Sequence, residues 1–367
     1  MNTNSQPNPD LAAGANACLR LGVLLLSSGA AGYRVIRAVK RCARSLGFDR
    51  ADVLVGFNTI SCTFHYRGDF RTAVSDVPLP GVNASRIEAL ETLSHSMLQS
   101  YHTPAEVNAA LDEIVQIPTP RWGLGVSTIA AGLACAGFAV LNQFGYLAAA
   151  FVFVAAALGQ LARVKLHRVH FNMLGVTMAA ALVASTTFLL LTELMPSGEQ
   201  LSPGFIAAVL FLIPGFPMFS SFVDLARFDF TSGIPRLFFS LEVIVVIMLT
   251  VSVVAMISDT PEAVALPVPL TFEFLAAGAA ASFVSVGCFA LLFNSSRRMA
   301  LMAAGLGAVA NLARLVMMGA GLVPFIAAFV AALLIGLAGG LIGSWANIPR
   351  VTVTIPASVV MIPGTTI

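Results

Sequence analysis

The 367 residues carry 57% hydrophobic side chains, only 10% charged ones, and a mean hydropathy of +0.88. Soluble domains typically hold about 25% charged residues, so this composition excludes a chain that solvates itself throughout. The formal net charge of +2 says nothing until the charges are placed along the sequence.

The cysteines, Cys18, Cys42, Cys62, Cys135 and Cys288, show neither CxxC nor metal-ligand spacing. They read as small buried hydrophobes rather than a disulfide framework, and neither a metal nor another cofactor is expected. The first eleven residues lack a basic n-region, and Arg20, Arg34 and Arg37 interrupt the apolar run that follows. No secretory signal is therefore expected, and the N-terminal part is expected to stay in the cytoplasm.

Residues 1–120 hold most of the charges and read as a small α/β domain. Leu11 to about Leu46 predicts two helices, broken near Ser28-Gly29-Ala30, because Leu21, Leu24, Leu25 and then Val35, Ile36, Val39 recur at helical spacing. Arg37, Lys40, Arg41 and Arg44 crowd the second of them. Strands are predicted at 52–57, 60–66 and 70–77, the last two joined as a hairpin at Gly68-Asp69. A helix is predicted after Gly81 or Asn83, and another at Thr103-Pro104, where an N-cap precedes proline and Glu106 sits in the first turn. Ser61 and His65 share a face of the second strand, yet no acidic partner is spaced to complete a hydrolase, and no Walker A motif supports an ATP-driven pump. An enzyme is not expected.

From Gly123 the character changes. Apolar stretches occur at about 124–141, 145–162, 172–192, 201–223, 237–257, 268–293, 299–319, 321–346 and 351–367. About 20 helical residues cross a hydrocarbon core of ~30 Å, so each is a predicted membrane span. With the N-terminal domain inside, the cytoplasmic loops would hold Arg163, Lys165, Arg168, Arg227, Arg236, Arg297, Arg298 and Arg350. The outer loops would hold Glu193, Glu199, Asp259 and Glu262. That asymmetry follows the positive-inside rule.

Ile213-Pro214-Gly215 lies in the fourth stretch and Ile362-Pro363-Gly364 in the ninth, 149 residues later. Shifted by that interval, the starts of the first four stretches fall within five residues of the starts of the last four. The sequence thus predicts two homologous halves: five spans in residues 121–260, and four in 261–367 with the fifth counterpart missing. An odd number of spans per half inverts the second, as in many secondary transporters with a site between the repeats. The fold class read here is an all-α polytopic membrane protein of two five-span inverted repeats, the last span absent, with a small α/β cytoplasmic domain at the N-terminus.

Pro214, Gly215 and Pro217 should break the fourth span, and Pro363 and Gly364 the ninth, because proline removes a backbone donor and glycine loosens the helix. A broken helix can hold a carboxylate at its half-helix N-terminus; a packing kink is the competing reading. Arg314, with Asn311 one turn earlier, sits at membrane depth, where a charge costs about 2.5–3.5 kcal/mol on insertion scales. It reads as a point of attraction for a substrate carboxylate, as a structural partner of an acid such as Glu242, or as a side chain that snorkels to the interface. Asp224, Asp229 and Glu242 could accept coupling protons, or form interfacial salt bridges with Arg227 and Arg236.

The stretch Arg20-Leu21-Gly22-Val23-Leu24-Leu25-Leu26-Ser27-Ser28-Gly29-Ala30 with Tyr33-Arg34 resembles the opening of the threonine/serine exporter family. Asp224 to Arg236, with Asp229 and Ser232-Gly233, is similar to the loop after that family's first Pro-Gly span, and Pro356 with Ile362-Pro363-Gly364 to its close. The resemblance implies a ten-span inner-membrane exporter of threonine and serine, driven by the proton gradient or membrane potential. Two-subunit relatives are linked instead to succinate export. The missing tenth span departs from the pattern. Partners expected are a small substrate and the lipid bilayer; small-residue stretches such as 336–343 allow close helix contacts, which leaves a homo-oligomer open without the sequence deciding it, and nucleic acid is not expected. A non-transporting receptor or scaffold is the reading from another class.

Overall fold

The computed structural model describes residues 10–78, 81–169, 171–193, 202–257, 268–346 and 348–361. They fall into two compact units. The first takes the N-terminal residues up to Arg121 together with Phe216–Ser240, and the second Trp122–Gly215 with the residues from Leu241 onward.

In the first unit, α1 (Leu11–Ser27) starts where the Asp10 carboxylate accepts from the Ala12 and Ala13 backbone N–H groups. Its buried face carries Leu21 and Leu25 at the predicted spacing. α2 (Gly32–Ser45) follows after the expected break. β1 (Arg50–Val55), β2 (Thr59–Tyr66) and β3 (Asp69–Asp76) form an antiparallel sheet in chain order, beginning one or two residues before the predicted strands. Val55, Ile60, Cys62 and Phe64 are buried on one face, and α1 and α2 pack against the sheet. Burial of an Ile or Phe side chain of this kind contributes about 1.5–3 kcal/mol. The hairpin turns through Arg67 (φ 49°) and Gly68 (φ 91°), the pair of positive φ values that a two-residue connection between twisted strands requires. α3 (Ala84–Ser96) begins at an Asn83 cap, and α4 (Pro104–Val115) at a complete capping box of Thr103 and Glu106.

The second unit is helical. α5 (Leu124–Leu141), α6 (Tyr146–Arg168) and α7 (Met173–Thr192) are followed by α8 (Ser202–Val209), which tightens into a 3-10 turn at Leu210–Leu212. α9 (Gly215–Leu225) and α10 (Phe230–Ile257) come next, their residues 216–240 belonging to the first unit. α11 (Phe272–Leu292), α12 (Arg297–Gly319), α13 (Pro324–Ala346) and α14 (Val351–Val359) complete the described chain. Seven helices among the described residues are long and apolar enough to cross a membrane, or eight if the bent α8–α9 pair is one span. Of the ninth predicted stretch, α14 is a short described part and 362–367 lies outside the described residues.

Neighbours in this unit repeat. α5 packs on α6, α6 on α7, and α8 on all three; α11 packs on α12, α12 on α13, and α14 on all three, while α5 lies against α11. Small buried residues such as Ala130, Ala131 and Ala134 allow close backbone approach where hydrophobic burial alone would drive nothing in lipid. Leu190, Phe329 and Leu337 point outward, as a lipid-facing surface requires.

Candidate functional site

Proline shapes the break after α8. Ile213 is extended (φ −60°, ψ 126°), the conformation its proline neighbour imposes, and the Gly215 N–H donates back to the Ile213 carbonyl at 2.8 Å. The helix direction turns by 69° there, and Pro217 sits in the first turn of α9, where its missing N–H removes no helical bond. A Cβ built on Gly215 would lie 3.5 Å from Val359 Cγ2, so the break abuts the C-terminal end of α14. Pro363 and Gly364, the other half of the predicted pair, lie outside the described residues.

On α12, Asn311 is fully buried and Arg314 only 7% exposed. Three residues apart, they share a helix face: Arg314 Nε donates to Asn311 Oδ1 at 2.8 Å, and Asn311 Nδ2 to Ser282 Oγ of α11 at 2.7 Å. The Ser282 hydroxyl in turn donates to the Gly278 carbonyl at 2.7 Å. Sequence reading paired Asn311 with Arg314 but missed Ser282, which sits 29 residues from Asn311 on another helix. Arg314 makes no ion pair among the described residues, with Glu242 or any other acid, and Glu242 itself is exposed on α10. A guanidinium held in place by neutral partners can accept an incoming anion without first losing a salt bridge.

Asp224 and Asp229 are arranged otherwise. Asp224, at the end of α9, is 0% exposed and faces Arg236 of α10, with Oδ2 to Nη1 at 3.5 Å. The same oxygen accepts from the Ser232 hydroxyl at 2.9 Å, while Asp229 Oδ1 accepts from the Thr231 hydroxyl at 3.0 Å. These two predicted coupling residues are therefore ion-paired or hydrogen-bonded inside the first unit; Glu242 does not join them there.

On the sheet, His65 Nε2 lies 3.2 Å from Asp52 Oδ2 across the β1–β2 pair, an acidic partner the sequence did not reveal. Ser61 stands four residues along the strand, roughly 13 Å away by strand rise, too far to join them as a triad. The Arg50 side chain first, and His65 after it, hold the Asp52 carboxyl below its usual range.

Residues 16–258 match a family model described as "Putative threonine/serine exporter", and residues 278–367 a second, "Threonine/Serine exporter, ThrE". The chain is similar to the "Probable succinate transporter subunit YjjP" of Escherichia coli (strain K12), 26% identical over 222 residues, which are 60% of this chain and 84% of that protein. The protein of the same name from Klebsiella aerogenes is 26% identical over 223 residues, again 60% of this chain and 84% of its own length. No solved structure matches the chain.

Proposed function

The chain belongs to the threonine/serine exporter family, and from that premise we propose that it is a secondary exporter of threonine and serine across the inner membrane, coupled to the proton gradient. It is a multi-pass membrane protein whose N-terminal domain, on this reading, lies in the cytoplasm. The observation that carries the proposal is the buried Arg314, positioned by Asn311 and Ser282 and lacking a counter-charge among the described residues. A substrate carboxylate supplies that charge, and a charge-assisted bond to guanidinium is roughly twice as strong as a neutral one. The break at Pro214-Gly215 supports a second polar point, since helix ends interrupted in a bilayer need partners from protein, water or ligand.

Two inverted repeats fit the matching neighbour patterns of α5–α8 and α11–α14, with the substrate path between them. Asp224, Asp229 and Glu242 are the proposed proton carriers, and Pro363 and Gly364 the second break.

A small dicarboxylate such as succinate is the second reading. The polar groups described around Arg314 are Asn311 and Ser282, which offer a cation and hydrogen bonds but no acid for a substrate ammonium. The names of the relatives point the same way. Counterflow with the purified full chain in proteoliposomes separates the two: labelled threonine exchanging against internal threonine supports the first, labelled succinate the second. Exchange of neither, in vesicles with or without a pH gradient, would sink both.

A further inference from the structure

We propose that Asp224 and Arg236 form a clamp on the backbone of residues 30–32, and that a proton arriving at Asp224 releases it. The inference goes beyond export, because it assigns a job to the α1–α2 turn that no substrate chemistry explains. Every group involved lies in the first unit.

The clamp reads main chain. Asp224 Oδ2 accepts the Gly32 N–H at 3.1 Å, and Arg236 Nη2 donates to the Ala30 carbonyl at 3.3 Å. One charged pair thus holds a donor and an acceptor two residues apart on the same stretch of backbone. Burial is nearly complete, with Asp224 0% and Arg236 1% exposed. Gly32 permits the approach: a Cβ there would sit 2.5 Å from Asp229 Oδ2 and 2.6 Å from Ser232 Oγ. Gly29, at φ +91°, sets the direction of the turn and would place a Cβ 2.7 Å from the Gly81 carbonyl. Farther along, Tyr33 lies under Arg227, whose guanidinium carbon is 4.1 Å from the ring centroid. The glycines and tyrosine of the Ser28–Arg34 segment are therefore accounted for by docking.

The cluster is also under-satisfied. Asp224 Oδ1, Asp229 Oδ2 and Arg236 Nε are buried without hydrogen-bond partners. Asp229 and Asp224 stand against a single paired guanidinium, and Arg227 is turned toward Tyr33. Along α2 the first charged side chain after Gly32 is Arg34, which is bound to Glu91 of α3, and the Val55 carbonyl of β1 accepts from Thr231. A proton taken up from solvent by the Asp224 carboxylate makes a neutral carboxyl, with no other bond formed or broken. Gly32 and Ser232 then lose an ionised acceptor and Arg236 its counter-charge, so the turn loosens. Because Asp224 ends α9, the half-helix after the break, release frees that end to move.

Amide hydrogen exchange on the full chain in lipid nanodiscs, without substrate, tests this. After correction for intrinsic exchange, protection of the Gly32 amide in the wild type should fall about tenfold between pH 8 and pH 5.5, the loss on exchanging an ionised for a neutral acceptor. Asp224→Asn should be weakly protected at both values, with β2 amides unchanged as the control for folding. Wild-type protection that ignores pH, or an Asp224→Asn chain that still responds to it, overturns the clamp. Should Asp224→Asn fail to fold, Ser232→Ala decides: it removes one bond to the carboxylate, so its transition should move to higher pH, and an unmoved midpoint contradicts the proposal. The clamp rests on the proposed reading of Asp224 as a proton carrier; no flux is measured, so failure here removes Asp224 from that role and leaves export through Arg314 standing.

Discussion

Two buried arginines in this protein live under opposite rules. Arg236 has a carboxylate at 3.5 Å and a backbone carbonyl at 3.3 Å, whereas Arg314 rests on the neutral Asn311 and, through it, Ser282. Compensation makes the first a fastener, since removing either partner strands a buried charge. On the proposed reading, lack of compensation leaves the second ready for an anion. Burial is common to both; what differs is the charge beside each guanidinium.

The comparison breaks most readily at the fastener. Arg236→Met should lower unfolding stability by about 3–5 kcal/mol, the range for halving a buried ion pair. Asp224→Leu combined with Arg236→Met should recover most of the loss in thermal unfolding of the purified chain. If the double variant is no better than the single, the pair is not the source. A smaller effect belongs to Gly32→Ala, whose methyl meets Asp229 and Ser232; a cost of about 1–3 kcal/mol is expected for such overpacking. Arg314→Met should change stability by less than either, because no acid is left behind, and a loss as large as that of Arg236→Met would erase the distinction.

The mildest prediction lies outside both sites. Thr103→Ala should cost about 1 kcal/mol through the lost cap. The Thr103 backbone and hydroxyl bonds hold the Glu106 carboxyl below its ordinary range. The sign follows: that contribution is complete above the unfolded pKa of a glutamate and disappears as pH falls through the depressed folded value. Acid titration of wild type against Thr103→Ala should therefore show the gap narrowing at the acid end without closing, since the cap bond from the Glu106 N–H to the Thr103 hydroxyl does not titrate.

Much of the fold was legible because its signals are local. Asn83 and Thr103-Pro104 mark helix starts through side chains within three residues of the groups they cap, and Pro214 marks a break in its own backbone. Asn311 and Arg314 were readable as a pair because one helix turn brings them together. The start of α10 was not. The apolar stretch begins at 237, but the helix starts at Phe230, since Ser232 and Arg236 are helical residues turned inward to Asp224. Gly32 and Asp224 are 192 residues apart, and Asp52 reaches His65 only through strand register; no periodicity joins such residues. Long-range polar pairing is where sequence patterns lose their reach.

The central claim is that Arg314 receives the substrate carboxylate. Proteoliposomes holding equal amounts of folded wild type and Arg314→Gln, assayed for counterflow of labelled threonine and succinate, address it directly. The account predicts at least a tenfold loss of exchange in the variant, about 1.4 kcal/mol of lost interaction, with partial recovery in Arg314→Lys. Undiminished exchange in Arg314→Gln would contradict it.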